Sequence, residues 1–258
     1  MAISDEIKEQ TVKLKDMTFK KKVSYIWEYY KFWILGVIAL IVFLVVFIRD
    51  YRINSRPYYL NGVILDSYLA LDQSVNISDE FAKANNVDTD TYQLYIDTGM
   101  SLRTGSADTV AIAFQERLVA EYVAADLDFV MGPIDVMEYA ANCNSYGDIT
   151  QLLPQDLLDE LKDREYEFYT YDPAAIEQGR QKAAERDGIR YDVDEELMNA
   201  EPFIAGVYLD TCPYLNNLGQ NGVYPVPEKP EDRIIFTIPA NTTRPERAAE
   251  FLRFLIAK

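Results

Sequence analysis

The sequence predicts an α/β domain of about 200 residues behind one membrane-spanning helix. Three observations carry this. Phe32–Ile48 (FWILGVIALIVFLVVFI) is a run of seventeen residues with no charge and no proline. Beyond it, short strand-like runs alternate with segments of helical periodicity, the pattern of an α/β fold with a parallel or mixed sheet. That stretch is long enough to bury a core without disulfides.

Residues 1–31 come first. Phe19, Val23, Ile26, Trp27 and Tyr30 fall on one helical face, with Lys20, Lys21, Lys22 and Glu28 elsewhere. A basic helix with an aromatic stripe beside a span predicts an interfacial helix on the inner leaflet. A docking helix for a partner and a plain topology signal are the alternatives.

The span is placed at residues 32–51, as an uncleaved signal anchor. As a helix, Phe32–Ile48 measures roughly 25 Å against a hydrocarbon core of ~30 Å. Tyr29, Tyr30 and Tyr51 can supply the rest at headgroup level. Lys13, Lys15, Lys20, Lys21, Lys22 and Lys31 precede the run, and only Arg49, Arg52 and Arg56 follow it closely. The basic excess stays in the cytoplasm, so the expected location is the cell membrane: single-pass, N-terminus cytoplasmic, C-terminal domain extracellular. The run ends in Ile48-Arg49-Asp50-Tyr51, without a small-residue cleavage site or a lipidation cysteine. Residues 1–31 carry +2 against a chain total of −17, which leaves −19 for residues 32–258. That acidity argues against nucleic acid and against docking on anionic lipid.

A short linker, residues 52–57, leads into the domain at 58–258. Strands are predicted at Asn61–Asp66, Tyr92–Asp97, Leu127–Gly132, Glu165–Tyr171, Ile204–Asp210 and Arg233–Pro239. Helices lie between most of them. One starts after Ser78 as N-cap. A second runs from about Asp108 to Ala125 with Val110, Phe114, Leu118 and Tyr122 on one face. A third spans about Ile134–Asn142. A fourth starts at Pro154 and carries Leu157, Leu158 and Leu161. A fifth has Asp172 as N-cap, Pro173 in the first turn, Gly188 as stop and an almost wholly polar interior. The last runs from Pro245 to the end with Ala248, Leu252 and Leu255 as its stripe.

Much chemistry is excluded. The chain has no histidine, which removes Ser-His-Asp and Cys-His catalysis and histidine-ligated zinc. There is no Walker loop, no GxGxxG and no CxxC; no cofactor is implied. The acidic clusters Asp88/Asp90 and Asp192/Asp194/Glu195/Glu196 lack the glycine and terminal glutamate of a calcium loop, so no metal site is expected. Asp97-Thr98-Gly99 matches the triplet around an aspartic-peptidase aspartate, but that chemistry needs two aspartates sharing a proton. Asn76-Ile77-Ser78 and Asn241-Thr242-Thr243 are glycosylation sequons. Cys143 and Cys212 permit one disulfide on the extracellular side, worth on the order of 4 kcal/mol by chain entropy; two small buried thiols are the other reading.

The segment Phe114–Pro154 (FQERLVAEYVAADLDFVMGPIDVMEYAANCNSYGDITQLLP) resembles the helix–strand–helix passage of extracellular solute-binding proteins with the type 2 periplasmic fold. PERAAEFLRFLIAK resembles their last helix and IAGVYLDTCPYLNNLG their return strand. This resemblance implies a main lobe at 58–162 and 204–258, with a small second lobe at 163–203. It also implies a non-enzymatic ligand-binding domain that serves a membrane transporter or sensor. In open α/β sheets ligands bind beyond the carboxyl ends of the strands. That singles out Ser67 and Tyr68 with Asp66, Asp97 and Thr98 with Gly99, Pro133 and Asp135 with Gly132, and Tyr208 with Asp210. The alternative is an interaction or assembly module, partnered by an envelope protein, that keeps the fold without a ligand. A hydrolase resting on Asp97 is the third reading.

Overall fold

The computed structural model describes residues 18–70, 76–102, 109–140, 145–218 and 222–257. The chain forms two units, Met1–Arg56 and Pro57–Lys258.

Among the described residues, the first unit is one helix, α1 (Phe19–Asn54), of 36 residues. Within it Tyr30–Asn54 is long and apolar enough to cross a membrane, with mean hydropathy 2.8. Two expectations are corrected here. Phe19–Lys31 is not a separate interfacial helix; it continues into the span without a break. No proline or glycine interrupts residues 19–35, and extending an existing helix costs far less than nucleating a new one. The linker is also shorter than expected. Helix persists through Arg49–Asn54, the Ser55 N–H caps the Tyr51 carbonyl at 2.9 Å, and β1 opens one residue after Pro57. At ~1.5 Å per residue α1 is roughly 54 Å long. That exceeds the ~30 Å thickness of a bilayer's hydrocarbon layer.

The second unit holds one six-stranded sheet: β1 (Tyr58–Ile64), β2 (Gln93–Asp97), β3 (Phe129–Pro133), β4 (Phe168–Tyr171), β5 (Phe203–Tyr208) and β6 (Ile234–Thr237), in the order β2-β1-β3-β6-β5-β4. β1 pairs parallel with β2 and β3. β6 is antiparallel to both β3 and β5, and β4 is antiparallel to β5. The sheet is therefore mixed. All six strands lie where the alternation predicts, within a few residues at each end.

Helices cover both faces. On one side α2 (Ile77–Ala84), α5 (Ile149–Leu152), α6 (Gln155–Asp163), α9 (Pro213–Asn217) and α10 (Pro245–Ala257) bury Phe81, Ile149, Leu157, Leu161, Leu215 and Phe251. On the other α3 (Thr109–Val123), α4 (Ile134–Ala140) and α7 (Pro173–Asp187) bury Leu118, Tyr122, Met137 and part of Ile176. A further short helix, α8 (Glu195–Met198), follows α7.

The local signals explain most ends. Asp172 accepts a hydrogen bond from the Ala175 N–H, Pro173 opens α7, and Gly188 closes it with φ 67°, a left-handed value that glycine adopts without a Cβ penalty. α2 begins earlier than expected. Asn76, not Ser78, is its cap and accepts from the Asp79 N–H, because Ile77 and Phe81 must share one buried face. α5 was not predicted; Asp148 caps it, and it ends at Leu152, two residues before Pro154, the cap of α6. α10 buries seven residues rather than a stripe of three, since it packs on the sheet with α2 and α9 also against it.

The stretch 163–203, assigned above to a small second lobe, supplies β4, which joins the main sheet as its edge strand beside β5. The rest of it folds back on α7. The buried Glu177 carboxylate accepts from the Tyr191 hydroxyl at 2.9 Å and the Asp194 N–H at 2.8 Å. Cys212 is a free, buried thiol whose Sγ donates to the Leu255 carbonyl at 3.3 Å. Burial raises its pKa. Cys143, the other half of the expected disulfide, lies outside the described residues.

Candidate functional site

Strand direction defines the candidate site. β1, β2, β3 and β5 point the same way, and the antiparallel β4 and β6 begin at the edge where those four end. The carboxyl edge thus gathers Asp66–Tyr68, Asp97–Gly99, Gly132–Asp135 and Tyr208–Asp210, together with Glu167 and Arg233 at the starts of β4 and β6. All eight residues predicted for ligand contact lie along this edge.

Side chains sort them into two clusters. In the first, Asp66 adopts a left-handed backbone, φ 52°, and its carboxylate accepts from the Ser101 hydroxyl at 2.5 Å and the Leu102 N–H at 3.2 Å. The buried Ser67 hydroxyl donates to the Thr98 carbonyl at 3.2 Å. Asp97 accepts from the Gly99 N–H at 2.9 Å and, through its other oxygen, from Arg117 at 2.8 Å and the Tyr95 hydroxyl at 3.2 Å. The Tyr224 hydroxyl reaches the Met131 carbonyl from the 222–224 segment. Its pKa is raised, first by burial and then by the Asp66 charge.

In the second cluster, the Arg233 guanidinium lies 3.7 Å from the Tyr208 ring centre, a cation–π contact. Arg233 pairs with Asp210 at 2.8 Å and Glu167 at 2.7 Å. Asp210 also accepts from the Ile234 N–H. Burial raises the Tyr208 pKa and Arg233 partly offsets it. Of the remaining predicted residues, Pro133 ends β3 buried, Asp135 is exposed and accepts from the Val136 N–H, and Tyr68 is 41% exposed.

Sequence reasoning passed over Arg117, Arg233, Glu167 and Ser101. Arg233 and Glu167 stand at the starts of strands, and they share the edge only because those strands run antiparallel. Arg117 had a local signal, its i,i+4 pairing with Glu121, at 2.7 Å in the fold.

The Asp97-Thr98-Gly99 triplet finds a structural partner. Proton sharing needs a second carboxylate against Asp97, whereas its oxygens are engaged by Arg117, Tyr95 and a backbone N–H. Arg117 is 40% exposed, so this pair is solvent-screened. Asp97→Asn is expected to cost under ~1 kcal/mol of stability in urea unfolding. A loss of several kcal/mol would mean the pair is desolvated.

The acidic clusters serve as local caps. Asp88 accepts from the Asp90 N–H and the Thr91 hydroxyl, and Asp194 caps α8. Among the described residues no group of three or more Cys, Asp or Glu is arranged to hold a metal. Neither sequon asparagine projects freely: Asn76 caps α2 and Asn241 donates to the Tyr122 carbonyl at 2.6 Å.

Two concavities lined by described residues lie away from this edge. One of about 350 Å³, lined by Tyr146, Gly147, Asp148, Gln151, Leu152, Phe203 and Ala240, sits at the opposite, amino edge. Another of about 310 Å³ lies between α2 and α10.

No family model, curated protein or solved structure matches this chain.

Proposed function

We propose that the chain is a single-pass membrane protein whose residues 57–258 form a docking module, a reduced relative of the solute-binding fold that works through its surface. The observation that carries this reading is the fate of 163–203. A solute receptor of that type encloses its ligand between two lobes; here β4 from the expected second lobe extends the first sheet. The mutual saturation of Asp66, Asp97 and Asp210 at the carboxyl edge supports the same reading. In this proposal residues 1–31 are cytoplasmic and the domain is extracellular, from the lysine excess before the span. The partner is another membrane or envelope protein.

The test is in-cell photo-crosslinking from exposed domain positions such as Tyr68 and Tyr95, followed by mild-detergent purification. A defined membrane or envelope protein is expected, captured from these positions by the full chain. A chain that crosslinks to nothing and purifies alone overturns the reading.

One observation favours a second reading, a ligand site. The eight predicted residues do converge on one edge, with Tyr68 exposed. Thermal shift against sugars, amino acids and short peptides separates the two. The docking reading expects no stabilisation; a shift abolished by Tyr68→Ala would establish the ligand reading instead.

A further inference from the structure

The span has two unlike faces. Trp33, Gly36, Leu40, Phe43, Phe47 and Tyr51 follow one another at spacings of three and four, so they form one stripe down α1. Phe43 stacks on Phe47 with centroids 6.0 Å apart and planes at 20°, and Phe47 stacks on Tyr51 at 6.5 Å and 19°. The other stripe, Ile34, Ile38, Ile41, Val45 and Ile48, is wholly aliphatic. Lipid bathes every side of a lone helix alike, so a monomeric span has no reason to sort rings from aliphatic side chains. Helix pairing in lipid does, because it depends on close packing and on small residues that let backbones approach. Among the described residues nothing buries the span's apolar window, which is 0% buried.

Charge selects both the face and the occupant. Two residues along a helix turn it by about 200°. Lys31 is two residues before Trp33 and Arg49 two residues after Phe47, so both lie opposite the aromatic stripe, and Arg52 follows one turn beyond Arg49. Copies of one chain insert in the same direction and pair in parallel, each residue meeting its own counterpart. Pairing through the aliphatic stripe would bring Lys31 onto Lys31 and the arginines onto each other. Pairing through the aromatic stripe keeps those basic side chains apart, and Asp50, the one charge at this end that it brings near its counterpart, is paired with Arg49 at 3.3 Å. Contact through this stripe also sets Gly36 against Gly36, where no side chain holds the backbones away, and lays two pre-stacked ring ladders together.

We propose that the span is a parallel homodimerisation surface whose contact line is Gly36, Leu40, Phe43 and Phe47. This goes beyond the docking reading and does not depend on it, since it concerns only the span. The test is oxidative disulfide crosslinking of the full chain in lipid vesicles at low protein density, in a Cys143→Ser, Cys212→Ala background. Leu40→Cys and Phe47→Cys are expected to crosslink about fivefold more than Ile38→Cys and Val45→Cys, and Gly36→Leu added to Leu40→Cys is expected to cut its yield about tenfold. These variants leave the span apolar, so insertion is retained. Uniformly low yield, or a maximum at positions 38 and 45, overturns the proposal.

Discussion

Arg244→Leu is expected to remove about 3 kcal/mol of stability at neutral pH. That is the low end of the range for breaking a buried ion pair, because Arg244 keeps a quarter of its side-chain surface while Asp128 keeps none. The pair is a junction. Arg244 Nε lies 3.0 Å from Asp128 and its Nη2 donates to the Asp126 carbonyl at 3.0 Å. Asp128 also accepts from the Asn61 N–H at 2.8 Å and the Thr242 hydroxyl at 3.2 Å. The strands β1 and β3 and the turn into α10 therefore meet on one carboxylate. Burial raises its pKa above the ordinary 3.8, while Asn61, Arg244 and Thr242 pull it back. A native pKa above the unfolded value means the folded chain holds the proton more tightly. The contribution of this group to stability is then complete below the unfolded pKa and declines as pH rises through the native one. Without Arg244 the native pKa climbs further. The deficit of Arg244→Leu should thus be small at pH about 4 and open up toward neutrality. Urea unfolding at several pH values checks this; a deficit independent of pH would mean that lost packing, not the unpaired charge, sets the cost.

Phe129→Ala should cost a similar or larger amount, roughly 3–5 kcal/mol. Its ring is fully buried, stacked on Phe251 at 4.4 Å and Phe236 at 5.2 Å, and it joins the sheet to α10. Its seat is Gly62 on β1: a Cβ there would come within 2.1 Å of a Phe129 ring carbon. Gly62→Ala alone should therefore destabilise by about 1–3 kcal/mol through overpacking. In a Phe129→Leu background that cost should shrink, because a smaller side chain frees the space. The coupling in a double-mutant cycle reads this directly. Additive effects would show that Gly62 is needed for some other reason.

How much of this was legible beforehand follows from the range of each interaction. The strands and α7 were readable because alternation, an Asp-Pro start and a glycine stop act within a few residues. The start of α2 was misplaced because Ser78 and Asn76 are both good caps, and only the shared burial of Ile77 and Phe81 chooses between them. The carboxyl-edge residues on parallel strands were readable from a general rule about open sheets. Arg233 and Glu167 were not, since nothing local tells that β6 and β4 run the other way. Asp128 gave no sign either: a carboxylate at the head of a strand is ordinary until an arginine more than a hundred residues away is folded onto it.

The chain by itself determined its division into an apolar helix and a following domain, its alternation of strands and helices, and its lack of histidine chemistry. Those properties depend on composition and on periods of two and 3.6 residues, which neighbours along the chain set alone. Only the tertiary structure decided that 163–203 extends the sheet instead of forming a lobe, that Asp97 answers to Arg117, and that Phe129 sits over Gly62. Each of these is a contact between segments distant in sequence. Its energy depends on burial and strand direction, which exist only once the chain is packed.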